Sequence, residues 1–329
     1  MRALCVALVL CAGLSVVPSA SRAETDAARA EGVMAAFEHW AQENALNGAI
    51  AVLKDGIVLR QLGVGQDANA PVETASLSKA ITAICVSELV ARGALSYGDS
   101  AAHRLGRGPD VTVAQLLTHT AGLGADSTQF SMQVWFGSAS PRHARVLEAV
   151  MLRPWFLRGR LVPETYHYSN ENYALLGLII EAVSDTSYEQ ACRDLVLTPA
   201  KAAGQPSPLS GAFLPWGGWR MTLADYGRFH ATWFGRNNAR AQTPLQSPAA
   251  KIGSDYYYGL GSIFRSDVTG THYWHTGALC FPGRLNVGSF AASWANGWTV
   301  ATSYDKCIDD KPLRQLQRAL VNRAYGVGE

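Results

Sequence analysis

Strand-like segments lie towards the two ends of this chain, with a long helical stretch between them. Ala49–Leu53 and Ile57–Leu62 flank the turn Lys54-Asp55-Gly56, whose Asp-Gly supplies a tight hairpin. Strand character returns at Tyr256–Arg265, His272–Thr276, Leu285–Trp294 and Trp298–Tyr304. The early hairpin can complete an antiparallel sheet with these late strands. Val33, Phe37, Trp40 and Ala41 recur at helical spacing, so residues 26–44 read as a helix; Leu313, Leu316, Leu320 and Val321 mark another over 312–324. These terminal helices would cover the sheet. The expected fold is α/β of the α+β kind: an antiparallel sheet flanked by terminal helices, with an all-helical lobe over about 76–235 inserted between the sheet segments.

That lobe has its own signals. Ser76 opens a helix whose face is Leu77, Ala80, Ile81, Ile84, Cys85 and Leu89, with Gly93 as its stop. Thr112 and Gln115 make a capping box, and Thr222-x-x-Asp225 caps a further helix. Val146, Leu147, Val150 and Met151 mark one more, and Tyr173–Val183 is strongly apolar. Residues 199–219, rich in Pro and Gly, read as loop. A cleft between sheet and lobe is the natural place for a site.

Arg2, the apolar run Ala3–Val17 and Ser21-Arg22-Ala23 read as a secretory signal, residues 1–23, cleaved after Ala23. The expected location is therefore periplasmic or secreted, with one domain over 24–329. The run is too short for an integral membrane span. The net charge of +2 gives no basic field for nucleic acid. Cys85, Cys192, Cys280 and Cys307 remain after cleavage and allow three full pairings. Cys280 and Cys307 bracket a hairpin and are placed to bridge; Cys85 lies on an apolar face and reads as a buried thiol. No metal-ligand spacing is present, and no cofactor is expected.

Three short runs carry chemistry. In Ser76-x-x-Lys79 the spacing puts both side chains on one helical face. A lysine whose pKa is lowered by desolvation can take the serine proton. Chance alone predicts about half a match to such a pattern in this composition. A second match, Ser303-x-x-Lys306, falls at a strand end, where that spacing does not align side chains. Tyr168-Ser169-Asn170 offers a phenol that relays protons and an amide that orients a substrate. His275-Thr276-Gly277 ends a strand, with donors on the cleft and a glycine that permits close backbone approach. Each run also has a bland reading: a helix cap, a loop anchor and a strand-terminating turn.

Taken together, in the order SxxK, YxN, HTG, the runs resemble the serine β-lactamase and penicillin-binding-protein superfamily on its class C side, which includes D-alanyl-D-alanine carboxypeptidases and esterases. ASLSKAITA (75–83), LLTHTAGL (116–123), YSNENYALLGLIIEAVS (168–184) and WHTGALCFPG (274–283) carry the resemblance over residues 45 to 305. It implies Ser76 as acylated nucleophile and Lys79 with Tyr168 as the proton-transfer pair. It implies Asn170, His275, Thr276, Gly277 and Ala278 as substrate-binding, with the backbone N–H groups of Ser76 and Ala278 as oxyanion hole.

His275 stands where the family more usually has lysine. With a reference pKa of about 6.5 it would be only fractionally charged at neutral pH. Activity on carboxylate-bearing substrates is then expected to fall as pH rises past that value. The substitution ranks a D-Ala-D-Ala-type peptidase or amidase first, an esterase second and a β-lactamase third. The substrate would be a small molecule or peptide, peptidoglycan-derived or a β-lactam. A non-catalytic penicillin-binding sensor or scaffold is the reading from another class. Arg265 reads as a solvated strand residue rather than a carboxylate binder. His119 reads as a structural hydrogen-bonder; His39, His103, His143, His167, His230 and His272 show no Ser or Asp partner in the sequence.

Overall fold

The computed structural model describes residues 20–124, 126–152 and 164–327. The expected leader falls mostly outside them. Among the described residues there are eleven strands: β1 (Gly48–Lys54), β2 (Ile57–Val64), β3 (Val72–Glu73), β4 (Gln205–Pro206), β5 (Trp219–Met221), β6 (Ala249–Lys251), β7 (Tyr257–Gly259), β8 (Ser262–Asp267), β9 (Gly270–Phe281), β10 (Leu285–Ser293) and β11 (Trp298–Tyr304). The helices are α1 (Ala20–Glu43), α2 (Ser78–Ala91), α3 (Ala101–Leu105), α4 (Val113–Leu117), α5 (Thr128–Trp135), α6 (His143–Leu152), α7 (Asn170–Ser184), α8 (Tyr188–Cys192), α9 (Leu214–Gly217), α10 (Leu223–Phe234), α11 (Ala239–Gln242) and α12 (Asp310–Tyr325).

The main sheet runs β2-β1-β11-β10-β9-β8-β7-β6 and is antiparallel throughout. The early hairpin joins the late strands through β1 and β11, with Ala51 opposite Ala301. Alternation along each strand sorts side chains onto two faces. Ala49, Ala51, Leu53, Ala291 and Ala301 look towards the helical lobe. Ile50, Val52, Phe290, Trp298 and Val300 look towards α1 and α12, where Phe37, Leu316 and Leu320 meet them. Small residues dominate the first set, which lets helices sit close to the sheet. The two terminal helices pack on each other, and Trp40 Nε1 donates to Pro312 O at 2.8 Å.

At the centre of the lobe, α2 is buried around nearly its whole circumference, from Ser78 to Leu89. A helix enclosed on every side must be apolar all round, and its exceptions, Ser78, Lys79, Thr82 and Ser87, need internal partners.

Three expectations about secondary structure fail. His275-Thr276-Gly277 does not end a strand: pairing with β10 carries β9 on to Phe281, so the run lies mid-strand. Residues 256–265 do not form one strand: Leu260 (φ 53°) and Gly261 (φ 74°) turn the chain between β7 and β8. A side chain at Gly261 would strike Lys79 O at 2.5 Å, so the turn is pressed against α2. Residues 199–219 are not merely loop: β4 pairs with β5, and β5 with β3, in a small second sheet. Among the described residues no helix is long and apolar enough to cross a membrane.

Candidate active site

Ser76 does not begin α2 as a cap. It lies in a 3₁₀ turn, Ala75–Leu77, immediately ahead of the helix, and Leu77 holds the capping position without a side-chain bond. The serine hydroxyl is therefore not spent on the helix end. Ala75 has φ 48°, a left-handed conformation uncommon for a residue with a Cβ. Hydrogen bonds hold this turn in place. Ser289 Oγ donates to Thr74 O at 2.9 Å, Thr74 Oγ1 to Trp219 O at 2.8 Å, and Tyr226 Oη to Leu77 O at 2.9 Å.

Lys79 lies one turn on, fully buried. Its Nζ donates to Ser76 Oγ at 3.1 Å and to Trp216 O at 2.9 Å. It also sits 4.8 Å from the centre of the Tyr168 ring. Burial pulls its pKa from 10.5 down to about 7, with the Asp126 carboxylate pulling the other way. Half of such a group is unprotonated near neutral pH, which is what a base for a serine hydroxyl requires.

Tyr168 precedes Ser169, the N-cap of α7, whose Oγ accepts from Glu171 N at 3.2 Å. One side of the Tyr168 residue stays exposed, yet its hydroxyl end is enclosed. Burial pushes that hydroxyl's pKa far up, and Ser76 opposes the push as its hydrogen-bond partner. The phenol thus keeps its proton where the lysine readily loses its own.

Around these groups stands an aromatic wall the motifs did not announce. His119, fully buried, faces Tyr168 at 4.4 Å, Tyr258 at 4.8 Å and Tyr173 at 5.0 Å between ring centres. Its Nδ1 accepts from Ser169 N at 3.2 Å and Asn172 Nδ2 at 3.0 Å, which places its proton on Nε2. Burial and the neighbouring Lys79 keep it neutral. It is a structural hydrogen-bonder. Asn170, the first residue of α7, donates to Asp126 Oδ2 (2.8 Å) through its backbone and to Thr128 Oγ1 (3.0 Å) through its amide.

His275 differs from expectation. Its ring is buried, and Nδ1 donates to the Thr276 carbonyl at 2.5 Å. Burial and Lys79 drive its pKa from 6.5 to about 3. It is neutral throughout the ordinary pH range and supplies no positive field, so the expected fall of activity above pH 6.5 does not follow from it. Thr276 points to the opposite face of β9 by strand alternation. Beyond Trp274 the strand pairs only with β10, so its other edge is free. A cavity of about 370 Å³ contains Ser76, Tyr168, His275, Thr276, Gly277 and Ala278 in its lining. A narrower one, about 260 Å³, shares Ser76, Tyr168 and Ala278 and adds Asn170, Trp216 and Phe281. Two arms therefore meet at the serine, and every site residue expected from the sequence lines one of them or, as Lys79, sits directly beneath.

Residues 33–301 match the model of a family described as Beta-lactamase. The chain belongs to the Beta-lactamase family. Its curated relatives include Protein flp of Staphylococcus aureus (strain MW2), 31% identical over 181 residues, which are 50% of this chain and 35% of that one. Penicillin-binding protein 4* of Bacillus subtilis (strain 168) is 30% identical over 176 residues, 50% of this chain and 38% of that one. The matched stretch thus spans little more than a third of these relatives' length. Solved structures extend the likeness in fold. SurE with D-Leu has a TM-score of 0.71 at 21% identity, covering 92% of this chain and 77% of that one. A D-stereospecific amidohydrolase from Streptomyces sp. has a TM-score of 0.68 at 19% identity, covering 91% and 99%. Membership in the Beta-lactamase family supports serine-hydrolase chemistry.

Three histidines of this Beta-lactamase-family chain depart from the sequence reading, whereas Arg265 and the cysteines agree with it. His230 does have a serine partner, Ser293 Oγ at 2.7 Å, and His272 an aspartate, Asp267 at 3.1 Å. His143 meets Glu181 at 2.9 Å. These partners are remote in sequence or on another strand, and none of the three histidines lines either arm. Arg265 pairs with Asp267 on the sheet's outer face, away from the cleft. Cys280 and Cys307 form a disulfide, and Cys85 and Cys192 are buried thiols. The bridge ties the arm-lining end of β9 to the segment after β11.

The glycine of the third motif has a clear steric reason. A Cβ at Gly277 would lie 2.5 Å from Ser289 Oγ, 2.8 Å from Ser76 N and 2.9 Å from Ala75 Cβ. Gly277→Ala must push β9 away from the turn that carries Ser76. A displacement of about 1 Å can cost about 10²-fold in rate, and overpacking typically costs about 1–3 kcal/mol. Steady-state rates and thermal melting of the variant check both; wild-type turnover would show that the contact has slack.

Proposed function

We propose that the protein is a serine hydrolase that passes through an acyl-enzyme at Ser76. The carrying observation is Lys79 Nζ at 3.1 Å from Ser76 Oγ with burial holding its pKa near 7. Lys79, in its neutral form, takes the hydroxyl proton as Ser76 Oγ bonds to a substrate carbonyl carbon. Negative charge on the carbonyl oxygen is met by the backbone N–H groups of Ser76 and Ala278. Tyr168, kept protonated by burial, gives its proton to the leaving nitrogen or oxygen and recovers one from the lysine. The acyl–serine ester is then hydrolysed by water through the same two groups. Separating the proton affinities of a neighbouring pair is how one site serves as both acid and base.

The arms suggest the substrate. Met132, Trp216, Leu279 and Phe281 give the narrow arm an apolar wall suited to the acyl portion. In the wider arm Lys306 is the charged side chain of the lining, and its ammonium donates to the Asn44 carbonyl at 3.0 Å. A leaving group bearing a carboxylate fits that end. Together with fold neighbours described as a D-stereospecific amidohydrolase and as a D-Leu complex, this favours a peptide or amide built on D-amino acids, D-Ala-D-Ala-like. Esters come second and β-lactams third. We place the mature chain, 24–329, in the periplasm or outside the cell; the disulfide supports an oxidising compartment.

The test is a panel: a D-Ala-D-Ala peptide, a D-aminoacyl p-nitroanilide, p-nitrophenyl esters and nitrocefin, each with wild type and Ser76→Ala. Turnover of at least one member that vanishes in the variant is the expected result. No turnover in any arm, together with no adduct from a fluorophosphonate or a labelled penicillin in intact-protein mass, overturns the proposal.

A further inference from the structure

The largest of the cavities described is not the catalytic one. About 660 Å³ opens on the outer face of the sheet, between the end of α12 and Arg265, His272, Trp274 and Phe290 of β8, β9 and β10. Its volume falls within the range of about 300–1,000 Å³ usual for small-molecule sites. It shares no residue with either catalytic arm.

Its chemistry has two parts. Tyr256 and Trp274 form an aromatic corner, ring centres 5.7 Å apart and planes at 89°. Guanidinium groups line the rest. Arg265 is held by Asp267 at 3.1 Å and Arg314 by Asp310 at 3.3 Å. Arg318 has no ion pair among the described residues and lies exposed on α12. The lining side chains thus carry three guanidiniums against the single carboxylate of Asp267. With Asp310 counted as the partner of Arg314, three guanidiniums meet two carboxylates, and Arg318 carries the unmatched charge. One side of the cavity is firmly built: His272, buried, has Nε2 on Asp267 at 3.1 Å, and its Nδ1 receives Ala295 N and Tyr325 Oη at 3.4 Å each. Asp267 is also held by Thr269, at 2.8 Å from the backbone and 2.6 Å from the hydroxyl.

Flat aromatic walls stack on a planar ring, and guanidinium groups both stack on such rings and bind acidic oxygens. We propose that this cavity is a second binding site, for a planar aromatic ligand bearing an acidic group. It lies back to back with the catalytic cleft, since Trp274 and His275 are neighbours on opposite faces of β9.

The probe is 1-anilinonaphthalene-8-sulfonate, followed by fluorescence on folded protein whose Ser76 has first been blocked with a fluorophosphonate or replaced by alanine. Saturable one-to-one binding is expected. Arg318→Glu, a surface change that circular dichroism can confirm as folded, is expected to weaken it at least tenfold, and Arg318→Lys by less. 2-Naphthoate is expected to displace the probe at least tenfold more effectively than neutral 2-naphthylmethanol. Binding that is non-saturable, that disappears when Ser76 is blocked, or that ignores both Arg318→Glu and the charge of the competitor overturns the proposal. None of these outcomes depends on which substrate the Ser76 cleft hydrolyses.

Discussion

Ser76→Ala is expected to leave the fold intact and to lower hydrolysis by about 10⁴-fold or more, the scale seen when a covalent nucleophile is removed. The hydroxyl makes few demands on its surroundings. It caps no helix end, and its partners are the Lys79 ammonium at 3.1 Å and the Tyr168 phenol. The ammonium keeps the Trp216 carbonyl at 2.9 Å when the serine is gone. The stability change is therefore expected within about 1 kcal/mol, the net worth of one hydrogen bond. The same variant should take no mass adduct from an acylating probe. Circular dichroism and melting establish that the protein is folded, and steady-state rates then carry the result. A folded Ser76→Ala protein that hydrolyses within tenfold of wild type would remove Ser76 from the chemistry, whatever its position in the cleft.

How far the sequence foretold this site depends on the distance over which each relation acts. Ser76 and Lys79 are one helical turn apart, so their meeting follows from spacing alone. The sheet was legible for a similar reason. The hairpin and the late strands each announce themselves, and antiparallel pairing through β1 and β11 is the simple way to join them. What failed were relations settled by close packing. The serine looked like a cap because capping residues and nucleophiles share a hydroxyl. Only the 3₁₀ turn with Ala75 at φ 48° separates the two roles. The run Tyr256–Arg265 looked like one strand because its aromatic residues suit a pleated surface. The turn at Leu260-Gly261 is imposed by α2 lying against it. His275 looked like a titrating group because a reference pKa contains no burial. The Trp216 carbonyl that holds Lys79 had no sequence signal, since any residue carries a carbonyl.

Lys79→Met is expected to cripple catalysis and to lose stability relative to wild type as pH rises from about 7 towards 10. A lysine with folded pKa about 7 and ordinary pKa 10.5 is bound to fewer protons in the folded state throughout the interval between them. Stability attributable to this group therefore rises as pH climbs from about 7 to 10.5. Below 7 both states are charged, and the full burden of a buried ammonium remains, roughly 5 kcal/mol for a shift of about 3.5 units. Methionine fills a comparable unbranched shape without charge. It forfeits the bonds to Trp216 O and Ser76 Oγ, each worth about 1–3 kcal/mol when the donor is charged. At pH 6 the two contributions nearly offset each other, and from about pH 7 to 10.5 the balance moves against the variant by roughly 5 kcal/mol, because wild-type lysine is then neutral and keeps its hydrogen bonds. Activity runs the other way. Wild-type kcat/KM should rise through about pH 7 as the amine loses its proton, and the variant should fall by about 10²–10⁴-fold, the usual contribution of a general base. Denaturant melts of both proteins at pH 6 and pH 10 check the first half, and a pH–rate profile checks the second. A stability difference between variant and wild type that is the same at pH 6 and pH 10 would mean that the amine is not burdened by its burial, and a flat wild-type profile from pH 5.5 to 8.5 would mean that it is not the base.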